Sequence, residues 1–178
     1  MFVSRLNSFL SNVTTRLYKE GNIMQLKEIG KIKVKGEEMF LQINKEYVEG
    51  LRGLDGFSNI DLIWWFDKCD NNERRSVVEV KKPYKKAPEK LGVFSTRSPE
   101  RPNPIALSIT EITHIDYDNG RIYITYIDAM DNSIILDIKP YTPSIERIEN
   151  PKVPNWCSHW PSSYEESGDF DWENEFLF

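Results

Sequence analysis

A chain of 178 residues with 39% hydrophobic and 12% aromatic residues has enough apolar material for one cored domain with appendages, and no apolar run nears the ~20 residues of a membrane-spanning helix. Two cysteines, Cys69 and Cys157, exclude a disulfide framework and suit a reducing, cytoplasmic setting. The net charge of −5 speaks against nucleic-acid binding by the chain as a whole, but it is uneven: Lys68–Arg101 carries ten basic and five acidic residues, and Asn155–Phe178 six acidic and no basic ones.

Phe2, Leu6, Phe9, Leu10, Val13 and Leu17 recur at helical spacing, and Gly21–Asn22 ends the pattern. This predicts an N-terminal helical extension over residues 1–23. Arg5 and Arg16, with no acid before Glu20, also fit a transit peptide. Leu26–Val34 and Glu38–Ile43 read as strands around a Lys35–Gly36 turn. Asn44–Leu51 reads as a short helix with Asn44 as N-cap and Gly53 past its end. In Phe57–Asp67, Ile60, Leu62, Trp64 and Phe66 share one face, and Ile63 and Trp65 the other. A strand apolar on both faces belongs in the middle of a closed sheet. Arg75–Val80 is a predicted strand, and Lys81–Lys90, with two lysine pairs and two prolines, an exposed loop. Its basic charge fits either a phosphate-contacting surface or an ordinary solvated loop.

Gly92–Ser108, GVFSTRSPERPNPIALS, is the most constrained stretch. Pro99, Pro102 and Pro104 fix their own φ and push Ser98, Arg101 and Asn103 towards extended backbone. The result is a stiff, non-helical segment presenting Arg97, Arg101 and Asn103, which costs little to order around a ligand. A strand follows over Ile105–Ile115, with Ile105, Leu107 and Ile109 on one face and Ala106, Ser108 and Thr110 on the other. Its phase shifts at Glu111–Ile112, as at a bulge. Asp118–Gly120 is a turn and Arg121–Ile127 a strand. Asp128–Asp131 brings two carboxylates together, Asn132 can turn the chain in a left-handed conformation, and Ile134–Ile138 is the last strand. Asp137 and Lys139 are expected to pair with each other or with an arginine of the motif. The tail after Ser144 is acidic and carries Trp156, Trp160, Tyr164, Phe170, Trp172 and Phe176. Burying one such side chain stabilises by roughly 1.5–3 kcal/mol, so residues 146–178 are expected to pack on the barrel or on a partner subunit.

Cys69, His114, Cys157 and His159 lack CxxC or HxxxH spacing, so no metal site is predicted. No GxGxxG follows any strand, which excludes a Rossmann-type nucleotide fold.

Three stretches resemble the TrmO/YaeB (TsaA-like) family in the same order. They are GVFSTRSPERPNPIALS, LRGLDGFSNIDLIWWF at Leu51–Phe66 and ILDIKPYTP at Ile135–Pro143, within a likeness running from about Ile29 to Pro143. The resemblance implies a mainly β protein: a TsaA-like closed antiparallel β-barrel with short helices over residues 24–145. It also implies an S-adenosylmethionine-dependent methyltransferase, cytoplasmic and homodimeric, acting on N6 of threonylcarbamoyladenosine beside the tRNA anticodon. Met24 opens MQLKEIGKI, the way family members begin. By resemblance, Arg97, Leu107 and the turn Asp128, Ala129, Met130 and Asp131 line the cofactor site. Asp67 and Lys68 stand where the family has a His-Gln pair near the cofactor. Arg97 can fork to the methionine carboxylate, Leu107 can pack on the adenine, and Asp67 can accept a hydrogen bond from the ribose or the adenine amine. Asp131 and Asp128 are base candidates; Arg101 and Asn103 would orient the acceptor. The chain departs from the family in lacking the Ser-Pro motif and the P-R-Q loop after Lys33, in Ala106 for glycine, and in the Gly-Thr-Pro turn after Asp131. A methyltransferase of the same fold with a small-molecule or other non-tRNA acceptor, and a non-catalytic binding protein, are the alternatives.

Overall fold

The computed structural model describes residues 16–19 and 22–177. In chain order the strands are β1 (Arg16–Lys19), β2 (Asn22–Gln25), β3 (Gly30–Lys35), β4 (Glu38–Ile43) and β5 (Asn59–Trp65). They continue with β6 (Glu79–Lys81), β7 (Lys90–Gly92), β8 (Ile105–Asp116), β9 (Arg121–Ile124) and β10 (Ile134–Pro140). The chain forms two compact units. One comprises residues up to Asp67 together with Ile105–Tyr141; the other comprises Lys68–Pro104 together with the residues from Thr142 onwards.

The first unit is built on a closed antiparallel barrel of order β10-β3-β4-β9-β8-β5. As expected, β5 sits mid-sheet, between β8 and β10. Ile60, Leu62 and Trp64 point inward opposite Thr110, Ser108 and Ala106 of β8. The large residues come from β5 and the small ones from β8, so the barrel fills without overpacking. The Ser108 hydroxyl accepts a bond from the Trp64 indole N–H at 3.0 Å, satisfying a buried donor. Ile32, Leu41, Ile43, Ile122, Ile124 and Ile135 complete the interior. The consequence for β8 is that Ile105 and Leu107 face outward, 37% and 48% exposed. The expected bulge lies one step on, between Ile112 and His114 in the pairing with β9. That pairing ends at Ile124, three residues short of the predicted strand.

The turns follow the residues that permit them. Lys35 pairs with Glu38, and Gly36 takes φ +63°. Gly120 takes φ +62°, where a Cβ would lie 2.7 Å from Val48. Lys45–Leu51 is a 3-10 helix, and Asn44 does not cap it: its side-chain amide instead donates to the Glu28 carbonyl at 3.0 Å. The described part of the expected N-terminal helix is a strand. Arg16–Lys19 pairs antiparallel with Asn22–Gln25, Lys19 opposite Asn22. The apolar repeat of that stretch serves a strand as well as a helix over so short a span. Residues 1–15 lie outside the described residues.

The second unit takes in α1 (Asn72–Arg75), the β6–β7 hairpin, α2 (Pro143–Glu146), α3 (Tyr164–Ser167) and α4 (Trp172–Glu175). Arg75, expected to open a strand, ends α1, which Asn71 caps by accepting from the Arg74 N–H at 3.0 Å. The strand therefore begins at Glu79. Within this unit the tail packs on the hairpin. Tyr84, buried in the predicted exposed loop, stacks on Trp156 at 5.4 Å and meets the edge of Trp160 at 4.9 Å.

Candidate functional site

On the barrel, the register gathers several candidate residues at one end. Trp65 pairs with both Ile105 and Ile134, so the end of β5, the start of β8 and the β9–β10 connection are neighbours. Leu107 offers an outward apolar side chain there. Asp67 follows β5 in a 3-10 turn and is exposed, as is Lys68, the first residue of the second unit. The β9–β10 connection carries Asp128, Ala129, Met130 and Asp131. Ala129 packs against the core, while Asp128 and Met130 are exposed. Asn132 adopts φ +70°, the left-handed conformation expected of it.

The two aspartates are differently employed. Asp131 Oδ1 accepts from the Val34 backbone N–H at 3.0 Å, and its Oδ2 from Asn132 Nδ2 at 2.6 Å. Asn132 in turn receives Lys33 Nζ on its side chain and donates its backbone N–H to the Ile32 carbonyl at 2.8 Å. Asp131 therefore fastens the turn to β3. Asp128 lies by Tyr126, a neighbour that motif reading missed: burial pushes the Tyr126 phenol up, and the Asp128 charge adds to it. Asp137 and Lys139 pair at 2.7 Å as expected, and that bond raises the lysine.

In the second unit the proline-rich loop is pinned by side chains. The Thr96 hydroxyl donates to the Val93 carbonyl at 2.8 Å and accepts from the Ser98 N–H at 3.2 Å. Arg101 Nη2 donates to the Val93 and Thr96 carbonyls at 3.1 and 3.0 Å. Arg75 ties Asp70 at 2.5 Å to the Pro102 carbonyl at 3.0 Å, and Arg74 pairs with Glu100 at 3.2 Å. Arg101 is thus built into the loop, a role that spacing alone could not reveal. Arg97 and Asn103 are exposed on it. Burial raises the Tyr84 phenol, while the backbone and charge of Arg97 oppose the rise.

A hollow of about 300 Å³ lined by Ile29, Ile43, Tyr47, Leu51, Asp137 and Ile138 lies at the other end of the barrel from the Asp128–Asp131 turn. Among the described residues no group of three or more His, Cys, Asp or Glu could hold a metal ion. Cys69 accepts from Arg74 at 3.2 Å and Cys157 donates to the Pro154 carbonyl at 3.4 Å. No described helix is long and apolar enough to cross a membrane.

The family model for the tRNA-methyltransferase O N-terminal domain matches residues 29–147, two thirds of the chain and every site residue named above. The chain belongs to this family. A relative from Archaeoglobus fulgidus, named an S-adenosyl-L-methionine-binding protein, is 37% identical over 61% of this chain and 72% of its own length. A probable S-adenosyl-L-methionine-binding protein of Methanocaldococcus jannaschii is 38% identical over 72% of this chain and 98% of its own. The mouse tRNA (adenine(37)-N6)-methyltransferase is 34% identical over 59% of this chain but 23% of its length. A crystal structure of TrmO superposes with a TM-score of 0.56 at 25% identity, covering 72% of this chain and 62% of that one. The family match stops at residue 147, so the aromatic tail lies outside it.

Proposed function

We propose that this family member is an S-adenosylmethionine-dependent methyltransferase whose acceptor is N6 of threonylcarbamoyladenosine beside the tRNA anticodon, working in the cytoplasm as a homodimer. The single observation that carries the reading is the family match over residues 29–147, which spans both the pinned loop and the Asp128–Asp131 turn. The cofactor supplies a methyl group on a sulfonium centre. The residues present suit it. Leu107 gives an outward apolar surface for the adenine. Asp67 and Asp128 are exposed carboxylates able to accept from ribose hydroxyls or the adenine amine, and Lys68 lies beside the first. The Ala129–Met130 backbone can bond the adenine edge. Arg97, on a loop with little freedom left to lose, takes the carboxylate.

The chemistry asks mostly for orientation, with a base to take the N6 proton. Both oxygens of Asp131 are engaged in the turn, so Asp131 shapes the site and Asp128 is the better base. Asn103 orients the acceptor, and Arg101 acts through the loop it clamps.

A second reading, a smaller acceptor on the same fold, is favoured by the tight Gly36 turn where the family has a longer loop and by the acidic tail. Methyl transfer to tRNA carrying or lacking threonylcarbamoyladenosine separates the two. Transfer to the modified tRNA alone is expected; equal failure on both, with the cofactor bound, would overturn the tRNA assignment.

A further inference from the structure

No large apolar side chain among the described residues is more exposed than Phe94, at 80%. Its backbone is nonetheless firmly held. Phe94 is the middle residue of the 3-10 turn Val93–Ser95. Val93 before it is fully buried, and its N–H donates to the Val78 carbonyl at 3.0 Å. The Val93 carbonyl accepts from the Thr96 N–H at 3.1 Å, the Thr96 hydroxyl at 2.8 Å and Arg101 Nη2 at 3.1 Å. Thr96 is buried as well. The turn therefore fixes an aromatic ring in water and forgoes the stabilisation that burying it would bring.

Basic residues stand next to it. β7 ends at Gly92, two residues before Phe94. In the β6–β7 hairpin, Val80 and Leu91 are half-buried, while Glu79, Lys81 and Lys90 share the exposed face. Lys81 lies opposite Lys90, a like-charge juxtaposition that costs stability. Glu79 answers Lys90 at 2.7 Å. No described carboxylate is within ion-pair reach of Lys81, or of the exposed Lys86 in the hairpin loop. A single exposed apolar residue needs no explanation, and neither does a solvated basic loop. A ring held rigidly in water beside unanswered cations is a different pattern. It is how single-stranded nucleic acid is bound, bases stacking on aromatics and phosphates meeting lysines. A lipid surface asks for a larger apolar face than Phe94 and the 66% exposed Val78 supply. We propose that Phe94 is a stacking platform for an unpaired nucleobase of the tRNA anticodon loop, with Lys81 and Lys86 on the adjoining phosphates. Phe94 precedes Arg97 by three residues, with buried Thr96 between them, so the stacked base is held close to the group that takes the cofactor carboxylate. The inference rests on the RNA acceptor proposed above and names the surface that receives it.

The test is binding of a synthetic anticodon stem–loop RNA carrying threonylcarbamoyladenosine to the full chain, followed by fluorescence anisotropy. Phe94→Ala should raise the Kd about tenfold and Phe94→Leu nearly as much, while Phe94→Tyr, which keeps a π face, should stay near wild type. A fluorescent adenine analogue in the loop should be quenched by the wild-type chain and not by Phe94→Leu. The logarithmic salt dependence should keep its slope in the Phe94 variants and lose about 0.7 per lysine in Lys81→Ala and Lys86→Ala. Urea midpoints should not move, because these side chains are exposed. Wild-type RNA affinity in Phe94→Ala or Phe94→Leu overturns the proposal; if Phe94→Ala then sediments as a smaller species, the ring is a contact between copies of the chain. Failure of the wild-type chain to bind the RNA, with S-adenosylmethionine still bound, overturns the tRNA reading itself and this inference with it.

Discussion

The barrel satisfies its backbone through six strands hydrogen-bonded in a closed ring, whereas the loop-and-tail unit relies on side chains reaching backbone carbonyls. In the barrel, pairing is indifferent to which outward residue a strand carries, and Ile105 and Leu107 sit outward on β8 without disturbing the register. In the second unit, Arg75, Thr96 and Arg101 each do something that another residue type would not. Ladder-built structure tolerates sequence change on its outer face; structure tied by side chains changes pose when one residue changes.

Four substitutions sharpen or break that contrast, in descending order of effect. Gly30→Val should be the most damaging, because a Cβ there would run into the Gln42 carbonyl oxygen and the Ile43 Cα, which is backbone that cannot yield cheaply. A loss of about 3 kcal/mol is expected in urea unfolding. Trp160→Ala should cost about 2 kcal/mol, less than a fully buried aromatic, and should expose the tail to protease while barrel amides stay protected. Equal loss of protection in both units would remove the contrast. Arg101→Lys keeps the charge but loses the planar guanidinium whose Nη2 bridges the Val93 and Thr96 carbonyls. About 1 kcal/mol of local stability should go, with cofactor affinity falling several-fold in calorimetry.

The smallest effect is on pH dependence. Burial pushes the Glu175 carboxyl up, but the bonds from His159 and Trp160 and the nearby Lys85 charge outweigh it, so the group ends below its ordinary value. A carboxyl depressed on folding contributes stability that is full above its unfolded pKa of about 4.3 and is lost as pH falls through the folded one. Tryptophan fluorescence should therefore report a tail transition below about pH 4.3, one that Glu175→Gln flattens.

Much of the barrel could be read from residue order, because β5 is apolar on both faces and Gly36 and Gly120 mark turns by necessity. Asn132 was readable for the same local reason. Which face of β8 lies inside was not readable: alternation gives two faces, and the small one was chosen by the bulk of Ile60, Leu62 and Trp64 across the sheet. Arg16–Lys19 was misread as helix because a short apolar repeat suits either period. In the site, the proline spacing announced a stiff loop, but stiffness also comes from Arg75, distant in sequence from the Pro102 carbonyl it holds. Asp131 was a base candidate by its place in the turn that the resemblance puts at the cofactor; its engagement with Val34 depends on a strand almost a hundred residues earlier.

Ring closure has a lopsided geometry. Six register pairs join β3 to β4, but only two, Ile134–Lys31 and Ile135–Gly30, join β10 to β3. The hoop is therefore fastened at a narrow seam, and its clasp is the corner where Asp131 and Asn132 grip Val34 and Ile32. A molecule that grasps that corner also tightens the seam, so occupancy should register as resistance to melting, about 2.7 kcal/mol at a hundredfold excess over Kd.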